Sequence, residues 1–288
     1  MKEIKGIIPA MVTPFDKNGA VNTDSIKKLI NVLINENADG FYVCGSTGES
    51  LLLSLDERKL ILDTVIEAVN GRVPVVTQVG CIATHQAVEL AKHAKQAGAD
   101  AISSLPPFYY KFSGAELEAY YKAIMDASDL PMIVYNIPAL TGVNMFSQCP
   151  NLFKDERVYG VKHTTTDLYQ MSMFKELNPN LKLYFGSDEQ MIAGLSMGAD
   201  GAIGSTFNFQ CKETVALYRT LQKNDFAAGL PLQKKLNEAI TLILETGLYN
   251  SIKYIIEKKY GFPMGECRKP FGSLPDSEKA KLNRFFGF

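Results

Sequence analysis

The chain has 288 residues, of which 46% are hydrophobic and 21% charged, and its formal net charge is −1. Such a composition is typical of a globular protein with a sizeable core, in one large domain or two small ones. The balanced charge disfavours nucleic acid and membranes as partners, and no apolar run has the length of about 18 residues that a membrane span needs. The five cysteines are widely spaced without a CxxC pair, which favours free thiols and a cytoplasmic protein.

Short apolar strands alternate with amphipathic helices along most of the chain. The predicted elements are, in chain order, a strand over 6–15, a helix over 23–37, a strand over 40–45, a helix over 54–69, a strand over 73–80, a helix over 83–99, a strand over 100–108, a helix over 113–128, a strand over 131–138, a short helix near 146–155, a strand over 158–164, a helix over 167–177, a strand over 181–189, a helix over 190–199, a strand over 200–206 and a helix over 212–224. Asp24 or Thr23 is the expected cap of the first helix, and Ser54 with Glu57 has the form of a capping box at the second.

These strand–helix units predict the fold class. Strands that are apolar on both faces and alternate with helices indicate a parallel sheet covered by helices, and eight such units in about 220 residues fit a (β/α)₈ barrel. The alternative is an open doubly wound sheet, which would usually carry a glycine-rich loop after its first strand, where this chain has "VTPFDKNG". We expect one domain over 1–288, with the barrel over 1–224 and further helices over 225–288 packed on its side.

A lysine inside the sixth strand is the first candidate for chemistry. Active sites of these barrels lie at the carboxyl ends of the strands, and Lys162 lies late in its strand, on the face shared by Gly160 and Thr164. Burial favours the neutral amine of a lysine, which can attack a ketone to form a Schiff base that accepts electrons from a neighbouring carbon–carbon bond. The alternative is a structural lysine that reaches the rim or pairs with a carboxylate. Lys182 opens the seventh strand, so we expect it on the opposite rim, at the surface.

Polar residues at two other strand ends extend the candidate site. Tyr135 lies late in the fifth strand, where a phenol can approach Lys162 and shuttle protons, although a core tyrosine is the alternative. "GSTGES" (45–50) ends the second strand, and its backbone N–H groups and the hydroxyls of Ser46 and Thr47 can cradle a carboxylate; a plain turn is the alternative.

The seventh and eighth strands end in "GSDE" and "GST". Asp188, Glu189 and Ser205 can form hydrogen bonds with a polyhydroxylated substrate, whereas magnesium binding or helix capping would be the alternative for the two carboxylates. The three histidines (His85, His93, His163) lack the spacing of metal ligands, so we expect no metal site.

Three motifs together carry a family resemblance. "GSTGE", "YNIP" and "VKHT", in this order and spacing, resemble the N-acetylneuraminate lyase / dihydrodipicolinate synthase family, and the resemblance covers essentially the whole chain, including "GIIPAMVTPF" and the helical tail. Members of that family are (β/α)₈ class I aldolases, usually tetramers, that form a Schiff base with pyruvate. The resemblance therefore implies a homotetramer with small-molecule substrates and no cofactor.

The resemblance also implies roles for single residues. Lys162 would be the Schiff-base lysine and Tyr135 the proton-transferring tyrosine, while Ser46, counted with the catalytic residues, and Thr47 would bind the pyruvate carboxylate. "PPFYYKF" (106–112) resembles the family loop whose tyrosine reaches into a neighbouring subunit's site. That role is assigned to Tyr109, with the adjacent Tyr110 left open.

The resemblance is stronger to the sialic acid branch of the family. Dihydrodipicolinate synthases typically have GTTGE and an arginine after the YNxP motif, whereas this chain has "GSTGE" and Leu140, which cannot bind a carboxylate by a charge-assisted pair. The residues that match positions contacting the sugar are Thr164, Gly186, Asp188, Glu189 and Ser205. His163 is a small departure, for which we see no catalytic need.

We therefore expect reversible cleavage of N-acetylneuraminate to N-acetyl-D-mannosamine and pyruvate. The nearest alternative is another pyruvate aldolase of the family, which acts on aspartate semialdehyde or a 2-keto-3-deoxy sugar acid. A non-catalytic sugar-acid sensor is the alternative from another class, since a fold does not fix a function.

Overall fold

The computed structural model describes residues 2–288 and shows there eight parallel strands in one sheet; Met1, where the expected domain begins, lies outside the described residues. The strands are β1 (Gly6–Pro9), β2 (Phe41–Val43), β3 (Val75–Gln78), β4 (Ala101–Ser104), β5 (Met132–Asn136), β6 (Val158–His163), β7 (Lys182–Phe185) and β8 (Gly201–Gly204). They pair in the order β1-β8-β7-β6-β5-β4-β3-β2, and a parallel bridge between Ala10 and Tyr42 joins the two ends of the sheet. The predicted (β/α)₈ barrel with a helical extension is confirmed, and the open doubly wound alternative is wrong.

Helices connect the strands and cover the barrel. They are α1 (Thr23–Asn35), α2 (Leu55–Val69), α3 (Thr84–Ala97), α4 (Gly114–Ser128), α5 (Pro138–Thr141), α6 (Met145–Gln148), α7 (Leu168–Leu177), α8 (Met191–Ser196) and α9 (Phe207–Leu221), followed by α10 (Phe226–Thr246), α11 (Leu248–Tyr260) and α12 (Asp276–Phe286). Short 3₁₀ turns lie at Ser50–Leu52, Pro150–Lys154 and Asp188–Gln190. None of the helices formed by residues 2–288 is long and apolar enough to cross a membrane.

The strands are shorter than the sequence predicts. The first ends at Pro9, although Met11, Val12 and Phe15 beyond it are also buried. The seventh ends at Phe185 and gives way to the 3₁₀ turn at Asp188–Gln190. An apolar run reports burial rather than strand conformation, so the pattern extends into buried loops at the carboxyl ends of the strands.

Helix starts follow local capping chemistry. Ser54 and Glu57 form the predicted capping box of α2. The prediction for α1 was wrong by one or two residues, because its N-cap is Asn22, whose Oδ1 accepts a hydrogen bond from the Ser25 N–H at 3.0 Å. The ninth helix begins at Phe207 instead of residue 212, since residues 207–210 already turn helically before a kink at Gln210.

The barrel interior is filled by alternate strand residues. A cluster of inward-facing side chains holds its centre, and the members include Ile8, Tyr42, Val76, Ile133, Tyr184 and Ile203. Their neighbours along each strand point outward and pack against the helices. Lys182 lies at the amino end of β7, half-buried, with Nζ 3.1 Å from Asp200 Oδ1, which places it on the opposite rim as predicted. The hydrogen bond that it donates to Asp200 raises the pKa of Lys182.

Helices α10–α12 form a tail that packs on the barrel near its carboxyl rim. The Lys253 ammonium of α11 lies 2.6 Å from Glu49 Oε1 in the turn after β2, and the guanidinium of Arg268 pairs with Glu57 at the start of α2. We call these four residues the tail–barrel seam. The seam fixes the tail against the loops that follow β2, and all five cysteines of the chain are free thiols.

Candidate active site

A cavity of about 230 Å³ opens at the carboxyl ends of the strands. Nine of the ten residues predicted for the site line it: Ser46, Thr47, Tyr135, Lys162, Thr164, Gly186, Asp188, Glu189 and Ser205. These residues come from the ends of five strands, β2, β5, β6, β7 and β8, which a closed parallel barrel brings to one face. We call this cavity the mouth.

Lys162 lies at the floor of the mouth. In the parallel register of the sheet it stands opposite Tyr135 of β5 and Tyr184 of β7, and it is 4% exposed. Its Nζ lies 4.0 Å from the centroid of the Tyr135 ring and 4.5 Å from that of Tyr42. Within residues 2–288 no carboxylate forms an ion pair with this nitrogen, although the other buried lysine, Lys253, has one. The amine therefore faces the cavity and two aromatic rings.

The "GSTGE" segment forms a tight turn beside the lysine. The N–H groups of Gly48 and Glu49 donate inside the turn, to the carbonyls of Gly45 and Ser46, both at 3.0 Å. Across the described residues, the N–H groups of Ser46 and Thr47 have no acceptor, so they are available to a ligand. The 3₁₀ turn, rather than α2 itself, follows directly.

Thr47 also joins the turn to the loop after β8. Its Oγ1 lies 2.6 Å from Ser205 Oγ, a hydrogen bond in which either hydroxyl can donate. The two hydroxyls thus present one polar edge of the mouth.

Asp188 is a partly buried carboxylate in the wall of the mouth. Its Oδ2 accepts hydrogen bonds from the Thr206 N–H at 2.9 Å and the Thr206 hydroxyl at 2.8 Å. Burial raises the pKa of this carboxyl to about 6, because these two bonds offset only part of the desolvation. Gly204 makes room for it, since a Cβ at that position would clash with Asp188 Oδ1.

The tail holds the loop that carries Asp188 and Glu189. Gln233 Nε2 donates to the Asp188 carbonyl at 3.0 Å, and Asn237 Nδ2 donates to the Glu189 carbonyl at 2.9 Å. Both donors lie on α10, so the position of the two acidic residues depends on the tail.

Thr164 presents a hydroxyl without a protein partner. Its Oγ1 is buried and forms no hydrogen bond with any of residues 2–288. Gly186 allows the close approach of the two strand ends, because a Cβ at that position would clash with this oxygen. A buried donor left unsatisfied costs about 1–3 kcal/mol, which a bound hydroxyl or carboxylate can recover.

Sequence reasoning missed one wall of the mouth. It consists of four residues of the tail, which lie in the same lining as Leu140: Ile240, Leu244, Leu248 and Tyr249. Burial raises the pKa of the Tyr249 phenol. The tail residues belong to ordinary amphipathic helices, and no local pattern distinguishes a face that lines a cavity from one that covers a core.

Tyr109 is the predicted site residue that the structure does not bring into the mouth. It is 85% exposed, has a positive φ of 79°, and packs edge to face with Tyr110 at 5.1 Å between ring centroids. The two tyrosines line a second, open cavity of about 820 Å³, which shares Leu140 with the mouth.

His163 has a structural environment. It is fully buried, with Nδ1 3.1 Å from Asn136 Nδ2 and Nε2 3.0 Å from the Asp167 carbonyl. Burial lowers its pKa, so the neutral ring ties β5 and β6 to the start of α7. Residues 2–288 contain no cluster of three or more His, Cys, Asp or Glu side chains that could hold a metal ion.

The arrangement suits a nucleophilic amine acting on a 2-keto acid. The lysine can attack a ketone carbon, the neighbouring turn can bind a carboxylate, and the phenol of Tyr135 can transfer a proton. Asp188, Glu189, Thr164 and Ser205 line the remaining wall with groups that bind hydroxyls.

The chain is similar to known proteins in sequence and in fold. The sequence matches the model of the Dihydrodipicolinate synthetase family over residues 3–286. It is 39% identical over 281 residues to N-acetylneuraminate lyase of Escherichia fergusonii, covering 97% of this chain and 95% of that protein. Among solved structures, CdNal of Clostridium difficile, in complex with mannosamine, has a TM-score of 0.96 and 37% identity, covering 99% of both chains. YagE of E. coli K12, a prophage protein of the dihydrodipicolinic acid synthase family in complex with pyruvate, has a TM-score of 0.91 and 30% identity, covering 98% of this chain and 97% of that one.

Proposed function

We propose that this chain cleaves N-acetylneuraminate reversibly to N-acetyl-D-mannosamine and pyruvate as a class I aldolase. The chain belongs to the Dihydrodipicolinate synthetase family and is a lyase. The observation that carries the proposal is the buried amine of Lys162, which has no carboxylate partner within residues 2–288 and faces Tyr135 across the mouth. Similarity to a lyase of this specificity and to a mannosamine complex supports the substrate.

The reaction begins at the ketone of the open-chain sugar acid. Lys162 Nζ forms a bond to C2, the phenol of Tyr135 gives its proton to the former ketone oxygen, which leaves as water, and the nitrogen carries the positive charge of an iminium. The Tyr135 oxygen then accepts the proton of the C4 hydroxyl as the C3–C4 bond breaks, N-acetyl-D-mannosamine leaves with its new aldehyde group, and the electron pair of that bond moves to the iminium to give an enamine. Tyr135 returns this proton to C3, and addition of water to the iminium releases pyruvate and restores the free lysine and the phenol. The lysine supplies the electron sink, so these steps require no metal or organic cofactor.

The carboxylate end of the substrate is assigned to the turn after β2. Ser46 and Thr47 offer two N–H groups and two hydroxyls next to Lys162, which fixes C2 at the amine. Ser46 is counted with the catalytic residues because this contact orients the reacting carbon.

The hydroxylated tail of the sugar is assigned to the opposite wall. Thr164, Asp188, Glu189 and Ser205 bind its hydroxyls, and the backbone at Gly186 lies among them. Leu140 at the rim of the mouth offers no charge for a second carboxylate, which disfavours aspartate semialdehyde as the second substrate.

The proposal extends to the assembly and the cell compartment. We assign a homotetramer in which Tyr109 enters the mouth of a neighbouring subunit, because its ring is exposed and lies outside the mouth of its own chain. Five free thiols favour the reducing cytoplasm, and the contacts of the tail favour a single domain.

Mass spectrometry after borohydride reduction tests the reaction. The protein is incubated with N-acetylneuraminate and borohydride, then mapped by peptides, and a pyruvyl or sialyl adduct on Lys162 is expected. An adduct with free pyruvate but none with the sugar acid would keep the aldolase and discard the substrate, in favour of another pyruvate aldolase of the family. No adduct with either would make Lys162 a structural lysine and favour a non-catalytic sugar-acid sensor.

A further inference from the structure

The buried cations of this chain differ in what surrounds them. Lys253 has Glu49 at 2.6 Å in addition to the Phe15 ring face at 4.3 Å, and the Arg58 guanidinium donates to the carbonyls of Gln78 at 2.6 Å and Gly80 at 3.2 Å. Lys162 Nζ, by contrast, donates to no oxygen among residues 2–288 and lies over two ring faces, those of Tyr42 and Tyr135. Aromatic faces are negative, and a cation within about 6 Å of a ring centroid is attracted to them.

We propose that the face of the Tyr42 ring stabilises the positive charge on the Lys162 nitrogen during the reaction, which presupposes the Schiff-base role proposed above. The iminium keeps one positive charge at this nitrogen from the loss of water until the electron pair of the C3–C4 bond arrives. A carboxylate at this place could take the proton and would weaken the pull of the iminium on that electron pair. A ring face attracts the charge without accepting a proton.

The structure fixes the Tyr42 ring in this position. Tyr42 is fully buried, its hydroxyl donates to Ser103 Oγ at 3.0 Å, and Ser103 in turn donates to the Ile133 carbonyl at 2.7 Å. Gly45 leaves the space that the ring needs, because a Cβ there would lie 2.6 Å from Tyr42 Cε1. The ring also meets Tyr135 edge to face, with 6.2 Å between centroids and an interplanar angle of 81°.

The ring face is the only part of the Tyr42 side chain that can interact with the Lys162 amine. Burial raises the pKa of its phenol well above the usual range, so the hydroxyl stays neutral and cannot serve as an anion beside the lysine. Tyr135 lines the mouth and is assigned the proton transfer, whereas the hydroxyl of Tyr42 is engaged with Ser103. Tyr135 thus moves a proton through its hydroxyl and also presents a ring face to the amine, whereas Tyr42 contributes a ring face alone.

A fluorination series at position 42 tests this role in the full-length enzyme. Tyr42→Phe keeps the ring, and phenylalanine with one, two or three fluorines at the same position keeps its shape while weakening the negative face. We expect Tyr42→Phe to stay within about threefold of wild type and kcat/KM to fall steadily to about a tenth across the series, which corresponds to about 1.4 kcal/mol. The amount of pyruvate adduct trapped on Lys162 at subsaturating pyruvate should fall in parallel.

The matched control is Phe41, the preceding residue of β2. It is equally buried but faces the helices rather than the mouth, so the same fluorinated residues there should leave both readouts unchanged. A flat series at position 42, with the adduct on Lys162 still formed, would overturn the role of Tyr42 and leave the proposed function standing. Absence of any adduct in the wild type would instead overturn the function. If Tyr42→Phe does not fold, fluorinated tyrosines, which keep the bond to Ser103, give the same comparison.

Discussion

The mouth and the tail–barrel seam each contain a buried lysine, and the groups that surround its ammonium differ between the two regions. At the seam, Lys253 pairs with Glu49, whose second oxygen accepts the N–H of Arg268 at 2.7 Å. In the mouth, Lys162 has ring faces instead, and the hydroxyl of Thr164 has no partner among residues 2–288.

This difference separates stability from function. Paired buried charges cost much when one partner is removed, because the other is left desolvated and alone. Groups left without partners in the free protein can be satisfied by a ligand, so they mark a binding site at some cost to the fold. A buried lysine therefore indicates chemistry only when its surroundings leave it unpaired.

Removal of Lys162 should have the largest effect. We expect Lys162→Ala to lower turnover by about 10⁴-fold or more, because among residues 2–288 no other amine lines the mouth, while the fold is preserved. Lys162→Met, which fills the space, should be as inactive and at least as stable as wild type, as measured by steady-state kinetics and chemical denaturation. Unchanged turnover in either variant would contradict the mechanism.

Removal of the buried lysine of the seam, Lys253, should instead act on stability. Lys253→Met leaves the Glu49 carboxylate buried and unpaired, so the free energy of unfolding should fall by about 3–5 kcal/mol. The double variant Lys253→Met/Glu49→Gln should recover part of this loss. If Lys253→Met and Lys162→Met had the same stability, the contrast between the two regions would be lost.

Asp188 in the mouth should make the free energy of unfolding depend on pH, which extends the comparison with the paired charges of the seam. The pKa of this carboxyl is about 3.9 in an unfolded chain, whereas burial raises its pKa in the folded protein to about 6. Between these values the folded state holds a proton that the unfolded state has released, so this contribution to stability is full below about pH 4 and is lost as the pH rises through 6.

Asp188→Asn should therefore flatten the pH dependence. Between pH 4 and 7, the free energy of unfolding of the wild type should fall by about 2 kcal/mol more than that of the variant. Urea denaturation at several pH values measures both curves. Parallel curves would show that Asp188 already has its charge satisfied, as Glu49 does.

Thr164 should give the smallest and most diagnostic change. Thr164→Val removes a buried hydroxyl without a partner among residues 2–288, so we expect a gain in stability of about 1 kcal/mol together with an increase in KM of about fivefold. The control is Thr214→Val, since the Thr214 hydroxyl donates to the Gln210 carbonyl at 2.8 Å and its loss should destabilise. A destabilised Thr164→Val variant with unchanged KM would remove Thr164 from the site.

Much of this molecule follows from local sequence. The alternation of apolar runs predicted the barrel, and the position of Lys162 late in its strand predicted that it lies at the carboxyl ends of the strands, because the rule for parallel strand ends is general. The capping box at Ser54 could likewise be predicted from the sequence, because its two residues are three positions apart.

Other features could not be read in this way. The seam joins residues of the tail to the turn after β2 and the start of α2, and the wall around Tyr249 comes from α10 and α11, two helices of ordinary amphipathic sequence. The ring of Tyr42 beside the lysine was missed for the same reason, since a tyrosine in an apolar strand resembles any core aromatic.

The sequence by itself determined the order of the elements, the polar residues at the strand ends and the family to which they point. Only the tertiary structure decided which buried lysine is paired, because pairing depends on distances between residues far apart in the chain. Closure of the barrel brings Tyr42 and Tyr135 to Lys162, and docking of the tail brings Lys253 to Glu49. Both ammonium groups are removed from water, but within residues 2–288 only Lys253 has a carboxylate partner.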